Sequence, residues 1–220
     1  MTQEQIEQEA IAYLKMRKQD LFNRFLQPLN PLEEKMAFFT AGPSGAGKTE
    51  FAQSLLEVEA NLLHLDIDAV RDLFTPIGYD GNNSDLYQKP AGRGVQMLFD
   101  EGVKKRGLSL IIDSNLSNTK IARQNIKSLL DRGYRVEIFY IYDDLEMCFM
   151  YTKKREAITK RRVPEEVFFN SVIRSRETTF EIKNEFGDKI ALTLIDKRTD
   201  TSYENITSDT FKDIILKKEV

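Results

Sequence analysis

Gly42-Pro43-Ser44-Gly45-Ala46-Gly47-Lys48-Thr49 fits the pattern G-x-x-x-x-G-K-[ST], and the reading of the fold starts from it. Its glycines let the backbone curl so that successive N–H groups converge on phosphate oxygens. A helix opening at the end of such a loop adds the positive end of its dipole. The pattern assigns the whole loop to nucleotide phosphates, with Lys48 across the β- and γ-phosphates and Thr49 on Mg²⁺. Its surroundings agree. Met36 to Ala41 is a short apolar run that reads as a buried strand, and Thr49 to Glu57 reads as a helix.

Outward from the loop the chain alternates. Strands are predicted at Leu62–Asp66, Leu108–Ile112, Val136–Tyr142 and Ile190–Ile195. Helices are predicted at Lys89–Lys105, Thr119–Arg132, from Asp143 or Asp144 to Ile158, at Pro164–Phe186 and at Ser208–Lys217. The strands are nearly continuous apolar runs, as in a parallel sheet covered on both faces. The expectation is an α/β P-loop NTPase fold: a five-stranded, mainly parallel, doubly wound sheet with helices on both faces. Ile6, Ala10, Leu14, Leu21 and Phe25 recur at helical spacing, so residues 1 to about 27 read as one amphipathic helix ended by Pro28 and Pro31. The chain divides into an N-terminal helical extension (1–35), a kinase core (36–198, with a lid at about 153–164) and a C-terminal helical tail (199–220).

Composition removes other classes. With 32 basic and 35 acidic residues the net charge is −3, so no global field holds nucleic acid. Cys148 is the single cysteine and reads as a small buried hydrophobe. His64 is the single histidine, which argues against His-based zinc sites and Ser-His-Asp triads. No signal segment or apolar run of membrane-span length is present, and a cytoplasmic protein is expected.

The loop announces a nucleotide rather than a reaction. The Asn-Lys-x-Asp guanine reader of GTPase switches is absent. A small kinase needs an acidic group for the acceptor hydroxyl, cations over the transferring phosphoryl group and a lid that excludes water. Asp66 and Asp68 end the second strand, on the crevice side, where one of the two is expected to cap the next helix. Arg155 and Arg161 belong to a late basic cluster that reads equally as a solvated face and as a phosphate clamp. Asp113 follows the third strand, placed either to hold Mg²⁺ or to accept from a substrate hydroxyl. Asn115 and Asn118 read equally as acceptor contacts and as turn or cap residues. Two rivals stand beside this reading. A polynucleotide or nucleoside kinase would use a groove lined by Lys89, Arg93, Lys104, Lys105 and Arg106. A regulatory nucleotide-binding module would have no acceptor.

In order and spacing these pieces resemble the zeta toxin family. The resemblance rests on Gly42 to Thr49, on Leu65-Asp66-Ile67-Asp68 with Arg71 and Pro76, on Ile111-Ile112-Asp113-Ser114-Asn115-Leu116, and on Lys154-Arg155-Glu156 followed by Arg161-Arg162-Val163-Pro164. It covers residues 36 to about 186. It implies ATP or GTP as donor with Mg²⁺, and the 3′-hydroxyl of the amino sugar of UDP-N-acetylglucosamine as acceptor. It also implies a small antitoxin over the nucleotide site. By the same resemblance Asp68 activates the acceptor and Arg155 and Arg161 clamp phosphates; Asp66, Arg71, Asp113, Asn115 and Asn118 are expected to face the acceptor. One departure matters: where the family reads Glu-Gly-Thr-Leu-Arg-Thr, this chain reads Asp113-Ser114-Asn115-Leu116-Ser117-Asn118, with Ser117 in place of the arginine. The N-terminal helix is expected to occupy ground that an antitoxin would need.

Overall fold

The computed structural model describes residues 1–217; residues 218–220 of the predicted tail lie outside the described part. A six-stranded sheet runs in the order β2-β3-β1-β4-β5-β6. Its strands are β1 (Met36–Ala41), β2 (Leu63–Asp66), β3 (Leu110–Asp113), β4 (Arg135–Tyr142), β5 (Ile190–Asp196) and β6 (Thr201–Tyr203). The first five are parallel, and β6 pairs antiparallel with β5 through Leu194 and Tyr203. The predicted count of five strands is therefore one short. β6 has three residues, too few for alternation to show in sequence.

Helices α1 (Gln3–Met16), α2 (Lys18–Leu26), α3 (Lys48–Val58), α4 (Ile67–Arg71), α5 (Ser84–Phe99), α6 (Thr119–Leu130), α7 (Leu145–Thr159), α8 (Glu165–Phe186) and α9 (Ser208–Lys217) surround the sheet. Alternate strand positions feed two cores. Ala37, Phe39, Leu63, Leu65, Leu110, Ile138 and Leu192 join the larger one, with residues of α1, α2, α5, α6 and α9. On the opposite face Ile141 packs with Ala46, Cys148 of α7, and Phe168 and Val172 of α8.

The N-terminal segment is two helices rather than one. Arg17 leaves helical geometry (φ −95°, ψ 19°) between α1 and α2. The bend lets both pieces follow the core: Ala10 and Leu14 from α1, and Leu21 and Leu26 from α2, are each at most 1% exposed. Leu14→Ala is expected to destabilise the whole protein by about 2–5 kcal/mol, the lost burial of the side chain plus the cavity left behind. Chemical denaturation checks this; a change confined to a minor local transition would mean that α1 unfolds apart from the rest.

Helix α5 begins at Ser84, not at Lys89, so Pro90 lies inside it. Reciprocal bonds between Asp80 and Asn83 close the preceding turn and start the helix early. It passes into a π-helical turn at Asp100–Lys105. Among the described residues no helix is long and apolar enough to cross a membrane.

Candidate active site

The phosphate loop follows β1 and opens α3, with Gly47 as the N-cap residue. Gly42 has φ +121°, and a Cβ there would lie 2.2 Å from the Ile141 carbonyl oxygen. Gly45 has φ +80°, and a Cβ there would lie 2.2 Å from the Cys148 carbonyl oxygen. Only glycine fits either position. Gly42 N donates to Ser175 Oγ at 2.9 Å, which ties the loop to α8. Cys148 is fully buried beneath it, and burial pushes its thiol up to about 12, so it packs as a hydrophobe.

Lys48 is 8% exposed and donates to the Pro43 carbonyl at 2.5 Å. Burial brings its ammonium down to about 8 against the opposing pull of Asp113. ATP phosphates favour the charged amine. ATP affinity is therefore expected to hold steady below about pH 8 and to weaken above it by up to about tenfold per pH unit. Calorimetric titration between about pH 6 and 9.5 reads this directly; a flat profile would show that Lys48 stays charged throughout.

Strand register assembles the acidic side. Asp66 on β2 is level with Asp113 on β3, and Phe39 with Ile112, which puts Thr40 of β1 beside Asp113. Thr40 Oγ1 donates to Asp113 Oδ1 at 3.1 Å. His64 Nε2 stands 3.6 Å from Asp113 Oδ2, just beyond hydrogen-bond length. Burial pushes the Asp113 carboxyl up, but His64, Thr49 and Thr40 together outweigh it and hold it below its ordinary value. Asp66 is raised, first by burial and then by the charge of Asp68. Ligand atoms of His64, Asp66 and Asp113 lie within 4.8 Å of one another, and Asp113 Oδ2 is buried without a hydrogen-bond partner. Carboxylates beside the Thr49 hydroxyl form a hard oxygen set that fits Mg²⁺.

Asp66 caps α4, accepting from Asp68 N at 2.8 Å, so it is the helix-capping member of the pair. Asp68 is left to side-chain partners. Arg71 Nη1 meets its Oδ1 at 2.6 Å, Arg155 Nη2 meets Oδ2 at 3.0 Å, and Arg161 Nη1 also bonds Oδ2. Arg71 departs from its expected place. It is 0% exposed, does not line the cleft and also donates to Gln88, so it holds Asp68 from behind. The segment that follows α7 is tied back to it by Lys153, which binds Glu156 at 3.0 Å and the Val163 carbonyl at 2.8 Å.

These groups share one cleft of about 1100 Å³. Ser44, Gly45, Gly47, Lys48, Thr49, Asp66, Asp68, Asp113, Asn115, Asn118, Arg155 and Arg161 line it; Gly42, Pro43 and Ala46 shape the loop from behind. Asn118 doubles as the cap of α6, accepting from Ile121 N at 3.1 Å. The cleft also recruits Lys154 of the late basic cluster, together with Lys197, Gln124 and Asn125, which sequence reasoning missed. Lys197 follows β5, and only the parallel packing of β5 on β4 brings it near Gly47. The groove of the nucleic-acid rival is largely neutralised: Lys89 pairs with Glu7, Lys104 with Asp100, and Lys105 and Arg106 with Glu101.

No curated protein sequence matches the chain. Among solved structures, one from the PezAT chromosomal toxin-antitoxin system of Streptococcus pneumoniae superposes with TM-score 0.71 at 18% identity, over 93% of this chain and 87% of that one. A chain of the AvrRxo1-ORF1:-ORF2 complex with ATP gives TM-score 0.62 at 16% identity, over 92% of this chain and 63% of that one. At these identities the likeness is one of fold. The zeta toxin family model matches residues 23–207. With that match joined to a phosphate loop, an acidic strand end and the arginines Arg155 and Arg161 on one cleft, the chain belongs to the zeta toxin family and is a P-loop phosphotransferase.

Proposed function

We propose that the protein transfers the γ-phosphate of ATP or GTP, with Mg²⁺, to a hydroxyl of a small metabolite. The observation that carries this is the convergence of Lys48, Asp68, Arg155 and Arg161 on one cleft beside the phosphate loop. Loop N–H groups and Lys48 would hold the β- and γ-phosphates, and Thr49, Asp66 and Asp113 would hold the metal. Bound there, Mg²⁺ neutralises charge that develops on the phosphate oxygens. Arg155 and Arg161 rest on Asp68 in this state; an incoming triphosphate offers them a more highly charged partner. Their transfer would leave Asp68, still placed by Arg71, to take the acceptor proton. The acceptor oxygen then bonds to the γ-phosphorus, the bond to the bridging β–γ oxygen breaks, and the nucleoside diphosphate leaves.

The family resemblance points to a sugar nucleotide such as UDP-N-acetylglucosamine, or a related metabolite, as acceptor. The toxin-antitoxin neighbours extend the proposal to a small protein partner over the nucleotide side of the cleft. Incubation with γ-labelled ATP and a panel of UDP-N-acetylglucosamine, NAD, nucleosides and oligonucleotides tests the reaction. Label in one metabolite is the expected result. Nucleotide binding with no transfer to any member of the panel, or to a total metabolite extract, would favour the regulatory module.

A further inference from the structure

The cleft is electrostatically divided. Its cations, Lys48, Lys154, Arg155, Arg161 and Lys197, all come from the phosphate loop, α7, the segment that follows it and the end of β5. None of the residues that α5, α6 and the 114–118 loop turn into the cleft carries a charge. Six of them are amides: Gln88, Gln96, Asn115, Asn118, Gln124 and Asn125. Gln88, Gln96 and Asn118 are committed to Arg71, Asp100 and the α6 cap. Asn115, Gln124 and Asn125 make no side-chain hydrogen bond among the described residues. Beside them Val95 and Ile121 offer an apolar wall, Ile121 with 54% of its surface open.

The nearby cations are not turned inward. Arg123 of α6 pairs with Glu185 at 2.6 Å, and Arg93 and Lys120 are exposed outside the lining. The amino end of α6, a ready anion site in principle, has its Ile121 N–H already taken by Asn118 at 3.1 Å. A diphosphate seated in this half would lose water and meet amides and the Ser114 and Ser117 hydroxyls, with no cation from these elements. That is a poor exchange, because anions leave water readily only for cations or several aligned N–H donors. An uncharged molecule with hydroxyl and amide groups meets free donors and acceptors of its own kind, plus a surface for its C–H face.

We infer that the acceptor half of the cleft takes an uncharged, hydroxyl- and amide-bearing small molecule, a free sugar or a nucleoside, and discriminates against acceptors that carry their own phosphate or diphosphate. This rests on the kinase reading above and, within it, sets the lining of this cleft against the sugar-nucleotide acceptor to which the family resemblance points. Ser117, where the family motif carries arginine, is the position at which the missing cation is most simply noticed.

The test uses matched pairs that share every free sugar hydroxyl: the methyl glycoside of N-acetylglucosamine with UDP-N-acetylglucosamine, and each 5′-O-methyl nucleoside with the nucleoside 5′-monophosphate. Transfer from γ-labelled ATP to the uncharged member is expected to exceed transfer to its partner by at least about tenfold in kcat/KM. The sugar and nucleoside arms separate the two sources of the same chemistry. Ser117→Arg is expected to raise kcat/KM for the charged member and so shrink the ratio. Equal use of both members, or preference for the charged one, overturns the inference and leaves the kinase reading intact. A second measurement does not depend on which acceptor is right. With the donor half saturated by a non-transferable ATP analogue, UDP and inorganic pyrophosphate are expected to show no second binding site by calorimetry. Micromolar binding of either would overturn the inference even if no acceptor took label. Absence of both transfer and ATP-analogue binding would instead sink the kinase reading.

Discussion

Asp68→Asn is expected to lower phosphate transfer by about 10²- to 10⁴-fold, the range of a lost general base, while ATP binding changes little. The substitution keeps the side chain's shape and removes its ability to take a proton. Three guanidinium groups converge on that carboxylate, which makes the experiment more informative than a simple base deletion. Arg155 and Arg161 are 52% and 33% exposed at the side chain and can turn to water or phosphate. Arg71 is 0% exposed and cannot. A neutral partner leaves a buried cation short of its counter-charge, and breaking such a pair costs about 3–5 kcal/mol when the partner is removed outright. Asparagine keeps one acceptor oxygen for Arg71, so the expected loss of stability falls below that figure. Activity and thermal unfolding are to be measured together. A folded, ATP-binding variant with unchanged transfer would remove Asp68 from the chemistry.

Lys48→Met is expected to reduce transfer by about 10²- to 10³-fold, the usual consequence of deleting one group aimed at developing phosphoryl charge. It should weaken ATP binding as well, because Lys48 meets the phosphates in the ground state too. Its effect on folding runs the other way. The amine is nearly buried, and burial already holds it down to about 8, so the empty site strains to keep it charged. Methionine fills a similar volume without that desolvation. The variant should melt at the same temperature as the parent or above it, and lose the ATP-induced stabilisation. Parent-like transfer by a variant that still folds would show that the loop does not hold the donor as described.

The two variants probe residues of different legibility. Lys48 is readable because its chemistry is local: eight consecutive residues specify loop, helix start and phosphate contacts. Asp68 is readable as an acidic residue at a strand end, and geometry separates its surroundings from those of Asp66. Asp66 spends its oxygen on the Asp68 N–H, whereas Asp68 faces Arg155. Arg71 reads equally well as a ligand contact, since a basic residue three positions after an acidic one says nothing about which way it points. Only the packing of α4 against α5 shows it buried, bridging Asp68 and Gln88. His64 is set aside in sequence for want of a second histidine; the β2–β3 register puts it next to Asp113.

By itself the sequence determined the parallel α/β architecture, the phosphate loop and the acidic and basic side chains proposed for the chemistry. Each is encoded in short-range patterns, such as residue spacing within a loop or apolar runs of strand length. The tertiary structure alone decided that α1 and α2 share the main core and that β6 extends the sheet. It alone decided that Gln124 and Asn125 face the same cleft as Lys197, more than seventy residues away in the chain. The reason is the strand order. Inserting β3 between β1 and β2, and stacking β4 and β5 beyond β1, brings distant strand ends to one edge. No local periodicity records that arrangement, because it is set by how the faces of the elements bury one another.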